Sequence, residues 1–179
     1  MRVAVFGGSF NPPHVGHAMI AGWLHWADRC DEVWLLPTFV HAFGKPLAPF
    51  ARRVAACERL GALVGPHVRV STIEAELPPP SFTIVTLQRL AALHPEHQFR
   101  LVVGADILQQ AASWREWARI EADFPPIVVG RGAQPVEGAP SFPDVSSTEI
   151  RARIAAGQPV DHLVPAGVLE AWLETAGTS

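Results

Sequence analysis

Two histidines, His14 and His17, lie where a short apolar stretch, Val3 to Phe6, runs into Gly7-Gly8-Ser9-Phe10-Asn11-Pro12-Pro13-His14-Val15-Gly16-His17. A spacing of three residues is close to one helical turn, so both imidazoles can face one spot. The glycines let a ligand approach the backbone closely, and the two prolines stiffen the loop. A helix starting near Val15 turns unpaired N–H groups and its positive dipole end back over the strand ends. Donors without bulk at such a junction suit a phosphate cluster. Zinc fits poorly, because no third ligand is near and no His-Glu-x-x-His pattern occurs. The loop is neither a Walker loop nor the glycine pattern of a dinucleotide fold.

A second cluster lies far along the chain, in Val145-Ser146-Ser147-Thr148-Glu149-Ile150-Arg151. Ser147 and Thr148 bring hydroxyls and N–H groups to a helix start, and Arg151 follows one turn later with a planar fork. These residues either cover an anion together or form a plain capped helix with Arg151 on its solvated face. Asp106 follows an apolar stretch and Gly104, where a carboxylate binds ribose hydroxyls or a hydrated metal, or else caps a helix. The basic residues number 14, of which Lys45 is the only lysine, so Lys45 is a candidate for chemistry.

The elements that must position these groups alternate between strand and helix. Arg2 to Phe6, Glu32 to Leu36, Val68 to Ile73, Phe99 to Val103 and Ile127 to Gly130 read as buried strands. Val15 to Asp28, Pro49 to Leu63, Thr83 to Leu93 (with Ser81 as N-cap), Ser146 to Ala156 and Pro165 to Thr175 read as helices. Asp106 to Gln110 and Trp114 to Glu121 read as short helical pieces, and Gly132 to Pro143 as a loop. This alternation predicts an α/β fold with a parallel, Rossmann-like sheet of five or six strands and a helical C-terminal part. Ligands in such folds bind beyond the carboxyl ends of the strands, where strand order reverses.

The 179 residues suit one domain over 1–179, and 49% apolar with 17% charged residues describes a compact chain. The net charge of −3 argues against a nucleic-acid groove but leaves room for a small anionic ligand. Cys30 and Cys57, both in stretches that read as helix, form neither a metal motif nor a disulfide framework. They read as buried thiols of a reducing, cytoplasmic setting. No signal peptide and no apolar run of about 18 residues is present, so a membrane span is not expected. The oligomeric state is left open, a homo-oligomer included.

The segment Gly7 to His17 resembles the signature of the His-x-Gly-His nucleotidyltransferase superfamily. Its Ser-Phe-Asn-Pro version is similar to that of the nicotinate or nicotinamide mononucleotide adenylyltransferases. Val145 to Arg151 resembles the Ile-Ser-Ser-Thr-x-x-Arg motif of the same family. The resemblance implies direct attack of a mononucleotide phosphate on the α-phosphorus of ATP, with Mg²⁺ arriving on the triphosphate and no dedicated protein ligands for it. His14, His17 and Arg151 are then the catalytic residues. Gly7, Gly8, Ser9, Phe10, Gly16, Ser147, Thr148 and Arg131 are implied to bind ATP, Arg131 near the adenosine.

Gly104-Ala105-Asp106 followed by Ser113-Trp114-Arg115-Glu116-Trp117 resembles the bacterial nicotinate-type branch. That resemblance implies a mononucleotide site at Asn11, Lys45, Thr83, Asp106, Trp114 and Arg115. Trp114 would stack on the pyridine ring and backbone N–H groups beside it would meet the nicotinate carboxylate, while Trp117 reads as core. Arg53 matches a family arginine on the second helix. The chain departs from the family at Phe82 and Val85, where a tyrosine and an acid are usual, and over the loop Thr38 to Ala48. The implied reaction is adenylyl transfer from ATP to nicotinate mononucleotide, giving deamido-NAD and pyrophosphate. Nicotinamide mononucleotide as main substrate, another transferase of the superfamily, and a nucleotide-binding regulator without catalysis stay open.

Overall fold

The computed structural model describes residues 1–132 and 135–174, apart from the side chains of Ala112 and Arg131. Its centre is β1 (Arg2–Gly8), which pairs in parallel with β2 (Glu32–Pro37) on one side and β4 (Gln98–Gly104) on the other. The sheet is completed by β3 (Val68–Val70) beyond β2, then β5 (Ile127–Arg131) and β6 (Ser141–Phe142) beyond β4. Strand order is β3-β2-β1-β4-β5-β6 and every pairing is parallel. Winding therefore reverses between β1 and β4, and a crevice opens beyond their carboxyl ends.

Seven α-helices flank the sheet among the described residues: α1 (Val15–Trp26), α2 (Phe50–Val64), α3 (Thr83–Leu93), α4 (Ala105–Leu108), α5 (Trp117–Asp123), α6 (Ser147–Ala155) and α7 (Ala166–Leu173). Side chains alternate between the two faces of each strand. Ala4, Val33, Leu35, Val102 and Val129 face one core, which α1, α2, α6 and α7 close with Leu24, Leu60, Ile150 and Val168. Val3, Val5, Trp34, Leu36, Leu101 and Val103 face the other, closed by α3 and α5 through Ile84, Leu87, Leu90 and Ile120. A parallel sheet covered on both faces needs nearly continuous apolar strands, which is why β1 and β2 read so clearly. Each fully buried Leu, such as Leu24 or Leu87, contributes roughly 1.5–3 kcal/mol over an exposed one.

Several expectations need correction. The strand expected over Val68 to Ile73 stops at Val70, and Ile73–Glu76 forms a single 3₁₀ turn. The loop expected over Gly132 to Pro143 contains β6, two residues whose strand character comes from pairing with Gly130 and Arg131 rather than from their own pattern. The helix expected from Trp114 starts at Trp117, because Glu116 adopts a left-handed φ of 54° and Trp114 stands on extended backbone. Ser81 does not cap α3; Phe82 holds that position, and Ser81 Oγ accepts from Val40 N at 3.3 Å instead. Cys30 lies beyond the end of α1, though it and Cys57 are buried free thiols as expected. Burial pushes the Cys30 thiol up to about 11 and that of Cys57 higher still, so neither is a nucleophile near neutral pH. Among the described residues no helix is long and apolar enough to cross a membrane.

Candidate active site

Beyond the carboxyl ends of β1 and β4 lies a cavity of about 500 Å³. Ten of the residues singled out from the sequence line it: Gly7, Gly8, Ser9, His14, Gly16, His17, Thr83, Asp106, Trp114 and Arg115. His14 caps α1 on extended backbone (φ −150°) and is 5% exposed. Its ring lies 3.8 Å from that of His17, centroid to centroid. The backbone N–H of His14 donates to His17 Nδ1 at 3.2 Å. An accepting Nδ1 places the proton of a neutral imidazole on Nε2, so His17 presents a donor on the far side of its ring. Phe10 and Phe6 pack against the His17 ring at 4.8 and 5.7 Å and limit its rotation.

Gly16 is small for a visible reason: a Cβ there would meet the His14 ring at 3.1 Å. Fewer N–H groups are open at this helix end than the sequence suggested. Val15 N donates to Leu163 O and His17 N to His14 O, both at 2.9 Å, so two of the early N–H groups are already committed. The His14 and His17 imidazoles line the cavity beside it.

The second cluster is bonded directly to this loop. Ser147 Oγ donates to Pro12 O at 2.8 Å, and Arg151 Nη1 donates to Asn11 O at 2.6 Å and to Ser147 O at 3.1 Å. Arg151 Nη2 reaches Thr148 Oγ1 at 3.4 Å. Ser146 caps α6 by accepting from Thr148 N at 3.2 Å. Val145, on the cavity wall, faces Gly16 across this junction. Ser147, Thr148 and Arg151 thus adjoin the cavity without lining it.

Other singled-out residues are placed differently. Phe10 is 1% exposed and belongs to the core behind the loop, where it supports His17 instead of facing the cavity. Its φ of 44° is a strained, left-handed conformation for a non-glycine residue, held by this packing. Asn11 is 3% exposed, and its Oδ1 accepts from Ala48 N at 3.3 Å and from Trp172 Nε1 at 3.2 Å. Its side chain ties the loop to α7 and is not on the cavity wall. Arg53, 1% exposed, is likewise a strut: Nε donates to Ala48 O at 2.9 Å and Nη1 to Ser9 O at 3.0 Å. Lys45 is exposed and off the wall. Its charge acts on His41, which lines the cavity and whose pKa is lowered first by burial and then by Lys45. The side chain of Arg131 lies outside the described residues.

At the opposite wall, Asp106 sits in the first turn of α4, which Gly104 caps. The Asp106 carboxylate folds back so closely over Gly104 that a Cβ there would collide with it. Trp114 packs edge-on against Trp117 (5.8 Å, 88°), and Trp117 rests on the second core as expected. The Arg115 guanidinium lies over the Phe82 ring at 5.0 Å, within cation–π range. The aromatic ring retained at Phe82 thus holds a cation beside Trp114.

Glu74 was missed from the sequence. It lines the cavity at 9% exposure; Oε2 accepts from Phe39 N at 3.0 Å and Oε1 from Thr86 Oγ1 at 3.4 Å. Burial raises its pKa, and hydrogen bonds from Ser81, Phe39 and Thr86 oppose that rise. The rule that flagged Asp106, a carboxylate just past a strand's carboxyl end, would also have found Glu74. His41, Ala42 and Phe43, from the divergent loop, complete the mouth.

The cytidylyltransferase-like family model matches residues 5–153. A protein of Anaeromyxobacter sp. (strain K) named "Probable nicotinate-nucleotide adenylyltransferase" is 54% identical over 172 residues, covering 94% of this chain and 91% of its own. One of the same name from Myxococcus xanthus is 41% identical, covering 93% and 88%. The fold is that of the Plasmodium falciparum nicotinic acid mononucleotide adenylyltransferase solved with NaAD, at a TM-score of 0.77 and 16% identity over 95% of this chain and 93% of that one. The chain belongs to the cytidylyltransferase-like family and, within it, to the nicotinate-nucleotide adenylyltransferases.

Proposed function

We propose that the chain transfers the adenylyl group of ATP to nicotinate mononucleotide, forming deamido-NAD and pyrophosphate. The observation that carries this reading is the bonded junction of the two clusters beside one cavity, with Arg151 on Asn11 O and Ser147 on Pro12 O. A phosphate oxygen of the mononucleotide attacks the α-phosphorus of ATP. The bond from that phosphorus to the bridging oxygen breaks, and pyrophosphate leaves with the electron pair. No protein nucleophile is required, so the residues act by positioning and by stabilising charge. His14 and His17 donate to phosphate oxygens as charge builds on them. Arg151, Thr148 and Ser147 hold the β- and γ-phosphates. Gly7, Gly8, Ser9 and Gly16 leave room for the nucleotide, and Arg131 serves the adenosine.

At the other wall Trp114 stacks on the pyridine ring, and Thr83 and Arg115 serve its substituent. The Arg115 guanidinium over the Phe82 ring favours a carboxylate there over an amide. Asp106 binds ribose hydroxyls, and Lys45 reaches a substrate phosphate from its exposed loop. Phe10 and Asn11 act only by holding the loop.

Mg²⁺ wants six oxygens in near-octahedral array and keeps much of its water. The carboxylates on the wall are Glu74, engaged with Phe39 and Thr86, and Asp106. Such a donor set suits a hydrated ion carried by the triphosphate, not a protein cage. There it would neutralise charge on the leaving pyrophosphate.

The deciding experiment is a steady-state comparison of nicotinate and nicotinamide mononucleotides, with ATP or CTP and Mg²⁺. A higher kcat/KM for the nicotinate form with ATP is expected. A preference for the amide, or for CTP, would overturn the substrate assignment, and measurable ATP binding without pyrophosphate release would overturn catalysis.

A further inference from the structure

At the amino-terminal end of β4, on the side of the sheet away from the cavity, the turn His94-Pro95-Glu96-His97 follows α3. Ligand atoms of His94, Glu96 and His97 all lie within 4.8 Å of one another. Both imidazole Nδ1 atoms converge on one carboxylate oxygen: His97 at 3.3 Å and His94 at 3.8 Å from Glu96 Oε1. His97 Nδ1 is shut off from solvent and, despite that proximity, makes no hydrogen bond among the described residues. A buried ring nitrogen at ion-pair distance from a carboxylate oxygen but off hydrogen-bond geometry is a poorly satisfied arrangement. A cation between them would satisfy both.

We propose that His94, Glu96 and His97 form a binding site for a divalent transition cation, Zn²⁺ first. Two imidazoles and one carboxylate suit borderline ions such as Zn²⁺, Ni²⁺ or Cu²⁺, not Mg²⁺ or Ca²⁺. With metal–ligand bonds of about 2.0–2.1 Å, tetrahedral ligands stand roughly 3.3 Å apart, so the three atoms need only small shifts to close on an ion. Water would complete the shell.

The surroundings hold the ligands in place. The two rings are nearly parallel (9°), and the Trp34 indole stands edge-on to both, at 5.2 and 5.9 Å. Trp34 is itself buried on β2. His97 N donates to His94 O at 3.0 Å, which fixes the turn between them. A bound ion would join the end of α3 to the start of β4. None of these residues belongs to the cavity wall, so adenylyl transfer should not depend on them.

The test is Zn²⁺ titration of the EDTA-stripped full chain by calorimetry, with the thermal midpoint followed in parallel. The wild type is expected to take up one Zn²⁺ at this site with a micromolar or tighter Kd and to gain thermal stability. His94→Ala and Glu96→Gln, both at exposed side chains, should weaken that uptake at least 10-fold and abolish the thermal gain, with adenylyl transfer unchanged. His17→Ala should retain it, which separates this site from the His14–His17 pair. Wild-type binding weaker than millimolar would overturn the proposal, as would undiminished uptake by the His94 and Glu96 variants.

Discussion

Arg151 Nη1 donates to the carbonyl oxygen of Asn11 at 2.6 Å, across 140 residues of chain. That one bond joins α6 to the loop between β1 and α1, while Nη1 also serves Ser147 O and Nη2 reaches Thr148 Oγ1. Arg151→Ala removes a charge-assisted bond that contributes about 1.5–3 kcal/mol. We expect kcat/KM for ATP to fall by roughly 10- to 150-fold. Arg151→Lys should recover little of this, because a single ammonium cannot serve the carbonyl and a phosphate in the same plane. Unchanged ATP kinetics in either variant would remove Arg151 from the site.

His17 Nδ1 accepts from the His14 backbone, so a neutral imidazole carries its proton on Nε2. His17→Ala should leave the fold intact and lower kcat by about 10²–10³, the usual loss for one charge-stabilising donor. Circular dichroism with single-turnover rates checks both halves. A near-normal rate would contradict the role.

That His14 and His17 meet was legible because their spacing is local: His14 caps α1, His17 stands in its first turn, and the two rings come together. The sheet was legible for a similar reason, since β1, β2 and β4 are apolar on both faces. What escaped depends on contacts between distant segments. Asn11 reads as a substrate ligand until Ala48 and Trp172 are seen to occupy its Oδ1. Phe10 reads as part of a nucleotide loop until its positive φ turns it into the core. Arg53 matches a family arginine on the second helix without a role of its own until the carbonyls of Ala48 and Ser9 are seen to take its fork. β6 is two residues amid glycine and proline, and only its partner strand makes it a strand.

Trp114 owes its position to the left-handed Glu116, which delays α5 and leaves the indole at the cavity, braced by Trp117. Stacking of a flat ring on an aromatic side chain contributes about 1–3 kcal/mol. Trp114→Ala should therefore raise KM for the mononucleotide by roughly 5- to 150-fold and change that for ATP far less. Equal effects on the two substrates would count against stacking on the pyridine. Trp114→Phe, which keeps an aromatic face, should recover much of the loss.

Glu74 ties three segments together: the chain after β2 through Phe39 N, α3 through Thr86, and its own 3₁₀ turn. Its pKa is raised by burial, so in the folded state it holds its proton to higher pH than in the unfolded chain. Between the ordinary carboxylate pKa and the raised one, the native state binds more protons. Stability contributed by the group is thus full below the ordinary pKa and declines as pH rises to the folded value. Glu74→Gln keeps an acceptor for Phe39 and a polar partner for Thr86 but cannot titrate. Denaturation midpoints measured across this window should fall with pH more steeply in the wild type than in Glu74→Gln. Parallel slopes would show that the carboxyl titrates alike in both states. Glu74→Ala, which loses the ties themselves, should also raise the mononucleotide KM by loosening the loop that carries His41 and Phe43 to the mouth of the cavity.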